Sequence, residues 1–295
     1  MKSVIFGEMS FMKAVFLFGI FVILSSCHKG EGLSGNTTKE QSADTQQKYI
    51  DEKAVVLKDR ILVPKGFVRE KTEENTWEYF LRNLALAQYG SPVLKYDGTE
   101  IKDQTHHVGI LTYDIGDKDL QQCADALIRL RAEYLFGHKR YQDIGFNFTS
   151  GDHFSWKSYS GGMRPVINGN HVSFIKKTPG NALNSYPDFR QYLDIIYNYA
   201  GTISLSQELK NSKSSTEFYI GDLIITPGSP GHTVMVVDKI SDGKQKRYAL
   251  LEGFTPAQSI HILSENGNPW FAVTPGNIIE TPRYIFKNAV VKQFE

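Results

Sequence analysis

Cys123 and His232 are two residues whose side chains could together carry out nucleophilic catalysis. Cys123 lies near the start of a segment with helical spacing, and the partial positive charge of a helix N-terminus lowers the pKa of a thiol. His232 begins the second apolar run of "GDLIITPGSPGHTVMVVD", directly after a Pro-Gly turn. An imidazole within hydrogen-bond reach of a thiol can act as its general base. If the fold brings the two residues together, this pair predicts a cysteine hydrolase of amide or peptide bonds.

A third and a fourth residue would complete such a site. Glu252 ends the strand predicted after His232, so it could lie beside the imidazole and orient it. Gln258 and His261 follow in sequence and are less favoured alternatives for the same role. Gln122 precedes the cysteine and could donate a hydrogen bond to a developing oxyanion.

Two other interpretations of these residues remain open. Cys123 shares one face of its helix with apolar residues and could be a structural cysteine of the core. The second interpretation is a non-catalytic protein that binds glycan, peptide or protein through an aromatic groove. That groove would be lined by Phe154, Trp156, Tyr159, Trp270 and Phe271.

The remaining polar residues favour no metal or cofactor site. The other candidate ligands are His106, His107, His153, His171 and His261, and no two of them show helix-face spacing with a nearby glutamate. We therefore expect neither a metal nor a cofactor. Asp222 and Asp238 fall at hairpin positions, where turn and edge roles are common. Arg129, Arg131 and Glu133 are interpreted as a charge set on one helix.

Hydrophobic spacing predicts the elements that must position these residues. Extended segments are expected at 54–63, 108–113, 144–148, 220–226, 233–239 and 248–252, helices at 76–87, 117–134 and 189–200, and a loop at 149–166. Segments 220–226 and 233–239 should form a hairpin. Period-2 alternation then puts His232, Val234, Val236 and Asp238 on one face. Helices come first and strands cluster late, which predicts an α+β fold with an antiparallel sheet packed against helices.

Composition limits the partners. The chain has 33 basic and 32 acidic residues, for a net charge of +1, and no basic block, so nucleic acid is not expected as a partner. Its hydrophobic share of 41% suffices for a core. There are 2 cysteines, Cys27 and Cys123.

The N-terminus predicts export and membrane attachment. Residues 14–24 have the length of a signal-peptide core, and Leu24-Ser25-Ser26-Cys27 resembles the lipobox of bacterial lipoproteins, which implies lipidation at Cys27. We expect a signal peptide at 1–26, a flexible tether at 27–52 and a single domain at 53–295. The membrane would then be a partner through the lipid. Lys29 at the second position after the cysteine favours the outer membrane in the bacterial cell envelope.

Four longer blocks carry a family resemblance. "DLQQCADALIRLRAEYLF", "YAGTISL", "GDLIITPGSPGHTVMVVD" and "LLEGFTPAQSIHIL" resemble the signature blocks of an uncharacterised bacterial lipoprotein family, over residues 62–290. The order of the cysteine helix, the "GD" strand and the histidine strand is also similar to the NlpC/P60 and CHAP branches of the papain-like fold. That similarity implies that Cys123 is the nucleophile, His232 the base and Glu252 the orienting group. It implies peptidoglycan stem peptides as substrates. Gln122 stands where the NlpC/P60 pattern has aspartate, and the spacing between cysteine and histidine is longer.

Overall fold

A computed structural model describes residues 48–169 and 171–295, which belong to one compact unit, Gln46–Glu295. Its helices are α1 (Leu57–Arg60), α2 (Trp77–Arg82), α3 (Cys123–Gly137), α4 (Trp156–Ser160), α5 (Tyr186–Tyr199) and α6 (Thr202–Glu208). Its strands are β1 (Val68–Arg69), β2 (His107–Ile110), β3 (Gly145–Asn147), β4 (His153–Ser155), β5 (Met163–Asn168), β6 (His171–Lys176), β7 (Lys210–Asn211), β8 (Asp222–Thr226), β9 (His232–Ser241), β10 (Lys246–Glu252), β11 (His261–Leu263), β12 (Ile279–Glu280), β13 (Ile285–Phe286) and β14 (Val290–Gln293). A short 3-10 helix covers Tyr141–Asp143.

One large antiparallel sheet organises the molecule. Its strand order is β2-β11-β10-β9-β8-β14-β7, and β1 pairs with β9 outside this order. Strand β9 is central and is buried along almost its whole length. Its run of Val and Met residues suits a strand that is covered on both faces. The mixed fold with a large antiparallel sheet confirms the predicted α+β class.

The two faces of the sheet have different covers. Met235 and Val237 of β9 belong to the larger core, which the helices share. Val234 and Val236 belong to a smaller core that includes Ile279 of β12 and Phe286 of β13. Alternate residues of β9 therefore face α3 on one side and the β12–β13 hairpin on the other.

The predicted hairpin of β8 and β9 is confirmed, with Thr226 opposite His232. One expected detail of β9 is wrong, because Val236 pairs with Leu250 while Asp238 pairs with Ala249. The extra residue, Val237, forms a β-bulge that interrupts the alternation. Asp238 consequently contacts Arg82 of α2 and lies on the helix side, away from the face of His232.

Segment 54–63 was expected to be extended but contains the single helical turn α1. The turn buries Arg60, whose guanidinium donates hydrogen bonds to the carbonyl oxygens of Ala54, Ala87 and Val108. Buried donors must be satisfied, so these tertiary hydrogen bonds override the local pattern. Residues 149–166, expected to be a loop, instead contain β4, α4 and the start of β5.

The cysteine helix begins later than expected. Helix α3 starts at Cys123, and the backbone N–H of Gln122 donates to Asp125 Oδ2 at 3.1 Å, which caps the helix start. Asp119 does not cap it, because its carboxylate accepts from Gln122 Nε2 at 2.9 Å and from the Ala257 N–H at 2.7 Å. Cys123 is therefore the first residue of the helix.

The predicted signal peptide, the lipidation site at Cys27 and most of the predicted tether lie outside the described residues. Ile50, inside the range predicted as tether, is buried and bridges Ile61. Among the described residues, no helix is long and apolar enough to cross a membrane.

Candidate active site

A cleft of about 650 Å³ lies where β9 begins. Its walls come from the start of α3, the turn before β9, the loop after β10 and the junction of α5 with α6. Cys123 and His232, which are 109 positions apart in the sequence, both line this cleft. The volume falls in the range of sites that hold small molecules or short peptide segments.

The Cys123 side chain lies deep in the cleft and is 7% exposed. Burial and the nearby Asp125 carboxylate raise the pKa of the thiol to about 11, although backbone N–H groups of Ala124 and Thr233 act in the opposite direction. This direction is opposite to the one predicted from the helix start, because removal from water outweighs the partial charge of the helix. The resting side chain is a neutral thiol. Its contact with Thr233 places the sulfur at the first residues of β9.

His232 and Glu252 lie next to each other. The His232 Nε2–H donates a hydrogen bond to Glu252 Oε2 at 2.8 Å, and both side chains are buried. A carboxylate can only accept, so the proton of a neutral His232 resides on Nε2 and leaves Nδ1 as the basic nitrogen. The aromatic rings of Phe254, Tyr284 and Phe286 surround the imidazole at centroid distances of 4.8, 4.8 and 5.6 Å.

The side chains of His261 and Arg283 also lie next to Glu252. Its Oε1 is 3.4 Å from His261 Nε2 and 3.5 Å from Arg283 Nη1. Burial alone would raise the pKa of the Glu252 carboxyl, but contacts with His232 and His261 outweigh it and lower that pKa to about 2. Glu252 therefore stays ionised at any physiological pH and holds the imidazole by a charge-assisted hydrogen bond.

The less favoured candidates Gln258 and His261 form an outer layer of the same cluster. His261 pairs with Glu252 across β11 and β10, and its Nδ1–H donates to the Ser259 carbonyl at 2.8 Å. Gln258 Oε1 accepts a hydrogen bond from the Arg283 guanidinium at 3.3 Å. Sequence reasoning missed Arg283, because a single arginine in "ETPRYIF" has no periodic or spacing signal that links it to Glu252.

Gln122 lies beside the cysteine, but other residues already engage its side chain. Its Oε1 accepts a hydrogen bond from Thr255 Oγ1 at 3.1 Å, and its Nε2 donates to Asp119 Oδ1. These contacts tie the start of α3 to the loop after β10. The first N–H groups of a helix have no intrahelical acceptor, so the Cys123 backbone N–H is a second candidate oxyanion donor.

Gly253 is required for the close approach of that loop to α3. A Cβ at this position would lie 2.8 Å from Ala126 Cβ and 3.0 Å from the Gln122 carbonyl oxygen. Only glycine fits so close to the helix backbone. The loop that carries Phe254 and Thr255 can therefore form one wall of the cleft.

The aromatic groove expected from Trp156 and Trp270 is not formed. Both residues are buried, and their Nε1–H groups donate to the Leu183 and Leu62 carbonyl oxygens. Phe154, Tyr159 and Phe271 are buried as well. These five aromatic residues form core and not a surface. Three of them lie in β4 and α4, and Trp270 and Phe271 lie in a loop segment where Phe271 bridges Tyr248 of β10.

Asp222 and Asp238, the two aspartates of the predicted hairpin, have structural partners. Asp222 accepts from Ser212 Oγ at 2.9 Å and from the Tyr219 N–H at 2.8 Å, and Asp238 is 2.7 Å from both Arg69 Nε and Arg82 Nη2. Within residues 48–169 and 171–295, no group of three or more His, Cys, Asp or Glu side chains could hold a metal ion.

The model of a protein family described as domain of unknown function 4846 matches residues 57–293 of the chain. This range covers most of the sequence, so the chain belongs to that family. A comparison with curated proteins finds no significant match, and neither does a comparison with solved structures.

Proposed function

We propose that this member of the family described as domain of unknown function 4846 is a cysteine hydrolase that cuts amide or peptide bonds. The observation that carries the proposal is the shared cleft of Cys123 and His232, with Glu252 hydrogen-bonded to Nε2 of the imidazole. A nucleophile, a base and a group that orients the base are the parts that acyl transfer requires.

The neutral thiol determines how the nucleophile is activated. Cys123 is protonated at rest, so His232 acts as a general base during attack and not as the partner of a preformed ion pair. His232 Nδ1 takes the thiol proton as Sγ bonds to the substrate carbonyl carbon. The Cys123 backbone N–H stabilises the resulting oxyanion.

Collapse of the tetrahedral intermediate completes the cycle. The C–N bond breaks, and the imidazolium returns its proton to the leaving amine, which leaves a thioester on Cys123. Water then loses a proton to His232 Nδ1 and attacks the thioester carbonyl carbon. The C–S bond breaks and the imidazolium returns its proton to Sγ, which releases a carboxylic acid and the free thiol. Glu252 stays ionised throughout and stabilises the imidazolium that forms in each half.

We propose that the substrates are peptides of the cell wall, such as peptidoglycan stem peptides. Support comes from the similarity to the NlpC/P60 and CHAP branches of the papain-like fold. In the present structure, the cysteine likewise begins a helix that packs against an antiparallel sheet, and the histidine begins a strand.

The N-terminal sequence supports a location for this activity. Leu24-Ser25-Ser26-Cys27 with the preceding apolar run supports a lipoprotein anchored at Cys27 in the bacterial cell envelope, with Lys29 favouring the outer membrane. In a bacterial host, Cys27→Ser should shift the protein from the membrane fraction to the soluble fraction. Mass spectrometry of the N-terminal peptide should detect the acyl chains in the wild type only.

The alternative is that the cleft holds an envelope peptide, glycan or protein without cutting it. The buried thiol with its raised pKa favours this candidate, because a catalytic cysteine is commonly a thiolate.

Incubation with purified peptidoglycan fragments tests the hydrolase. Mass spectrometry should find a new amine and a new carboxylic acid with the wild type, and none with Cys123→Ala or His232→Ala. His171→Ala removes an exposed histidine of β6 and should retain full activity. Binding of the fragments without any cleavage, unchanged in Cys123→Ala, would support the alternative and contradict the hydrolase.

A further inference from the structure

Arg131 lies in the middle of α3 and is only 5% exposed. Its guanidinium carbon is 5.4 Å from the ring centroid of Trp77, 5.3 Å from that of Tyr134 and 5.9 Å from that of Phe294. These contacts are cation–π interactions, which stabilise a cation but accept no conventional hydrogen bond from its N–H groups.

No described residue forms an ion pair or a hydrogen bond with the Arg131 guanidinium. Burial is the main cause that lowers the pKa of Arg131, to about 10. The neighbouring guanidinium of Arg140 adds to the lowering, while Tyr134, Asp143 and Glu78 act in the opposite direction. The group is still protonated near neutral pH. A buried positive charge without a counter-ion is costly, and a second positive charge beside it increases the cost.

Trp77 supplies a second donor without an acceptor. Its Nε1 is buried and has no hydrogen-bond partner among the described residues. The Nε1 groups of Trp156 and Trp270, in contrast, both donate to backbone carbonyls. Buried polar groups in native proteins are nearly always paired, so an exception calls for an explanation.

Both groups line one cavity of about 550 Å³ between α2, α3 and the C-terminal strand β14. Arg140 and Lys213 also line the cavity. Arg140 forms an ion pair with Asp143, Lys210 forms one with Glu295, and Glu78 adds a further carboxylate to the walls. The cavity therefore combines aromatic walls, more basic than acidic side chains, a guanidinium without an ion-pair partner and a buried indole N–H without an acceptor.

We propose that this cavity binds a small organic oxyanion, whose charged oxygens accept from Arg131 and Trp77 Nε1 and whose apolar body packs against Tyr134 and Phe294. A planar guanidinium suits both carboxylates and phosphates, because both can accept two parallel hydrogen bonds. The ligand class is thus a carboxylate or phosphate on a compact aromatic or aliphatic group. The cavity is distinct from the cleft of Cys123 and shares none of its lining residues.

Titration of the full chain with benzoate, phenyl phosphate and inorganic phosphate, at constant ionic strength, tests this proposal. At about 100 times the Kd, a bound anion should raise the Tm by roughly 5–10 °C. The rise should saturate and should be absent in Arg131→Met. Lys102→Met loses the same charge at an exposed position and should respond like the wild type. Trp77→Phe should weaken binding, since it removes one donor.

The relative response identifies the ligand group. If the rise in Tm saturates at a lower concentration of benzoate, the ligand group is a carboxylate. If it saturates at a lower concentration of phenyl phosphate or inorganic phosphate, the ligand group is a phosphate. If none of the three probes saturates, or if Arg131→Met responds like the wild type, the cavity is not an oxyanion site and the proposal is overturned.

Discussion

The cleft at the start of α3 and the cavity beside the middle of the same helix both contain a buried charge, but they treat it in opposite ways. In the cleft, Glu252 has His232, His261 and Arg283 around it. In the cavity, Arg131 makes cation–π contacts with three aromatic rings and has no carboxylate within ion-pair distance among the described residues. A buried charge that is paired with protein groups holds those groups in a fixed geometry. A buried charge without such partners can pair with a ligand instead.

Arg129 shows that the difference is not a general property of the helix. It lies two residues before Arg131 and is also buried, but its Nε donates to Glu133 Oε1 at 2.6 Å and its Nη1 donates to Gln121 Oε1 at 3.1 Å. Arg131 points to a different side of α3, where no carboxylate is within ion-pair distance among the described residues. The neighbouring elements therefore determine whether an arginine of this helix is paired with protein groups or is able to bind a ligand.

The largest effect is expected at the nucleophile. Replacing Cys123 by Ala or Ser should lower kcat/KM for a peptide substrate by about 10³-fold or more, because the covalent route is lost. Steady-state hydrolysis and capture of the thioester by mass spectrometry measure this loss. The same substitution should leave oxyanion binding at Arg131 unchanged, and a parallel loss there would show that the two regions are not independent.

Glu252→Gln should give the next largest effect. A neutral amide neither holds the imidazole tautomer nor stabilises an imidazolium, so kcat should fall by about 10³-fold with a smaller change in KM. Glu217→Gln is the matched control, because that carboxylate pairs with Lys239 and Lys246. Full activity in Glu252→Gln would remove Glu252 from the mechanism.

Substitutions of Arg129 and Arg131 should change the free energy of unfolding by different amounts. Arg129→Met leaves the largely buried Glu133 without its cation and should lower the free energy of unfolding by about 3–5 kcal/mol. Arg131→Met removes an unpaired charge at the expense of cation–π contacts and should change it by less than about 1 kcal/mol. Urea unfolding in chloride buffer measures both. Equal losses in the free energy of unfolding would mean that Arg131 contributes as much to stability as Arg129 does.

The influence of His232 on the alkylation of Cys123 is the smallest of these effects. The thiolate is the reactive form, and a thiol pKa of about 11 means that deprotonation continues well above neutral pH. The iodoacetamide rate should therefore rise roughly tenfold per pH unit between about pH 7 and pH 10. His232→Ala should hardly change this slope. A rate that is already maximal at pH 7 in the wild type, and falls in His232→Ala, would instead indicate a thiolate–imidazolium pair.

The sequence predicted the parts of the site that depend on local order. The hairpin of β8 and β9 follows from two apolar runs around a Pro-Gly turn, and it places His232 at the start of a strand. The α+β class and the position of Glu252 at the end of β10 follow from the same kind of pattern. All of these depend on contacts between residues that are near each other in the chain.

Only the tertiary structure decided the charges and the burial. The raised pKa of Cys123 depends on how deeply the start of α3 lies in the fold, and the lowered pKa of Glu252 depends on its contacts with His232 and His261. The contact of Arg283 with Glu252 results from tertiary packing that no local sequence pattern encodes. The same is true of the absence of a carboxylate within ion-pair distance of Arg131 among the described residues. Hydrophobic periodicity reports which face of an element is buried, but not which polar groups meet there. The contacts between polar groups join residues that are far apart in the sequence, and these contacts determine the chemistry of both regions.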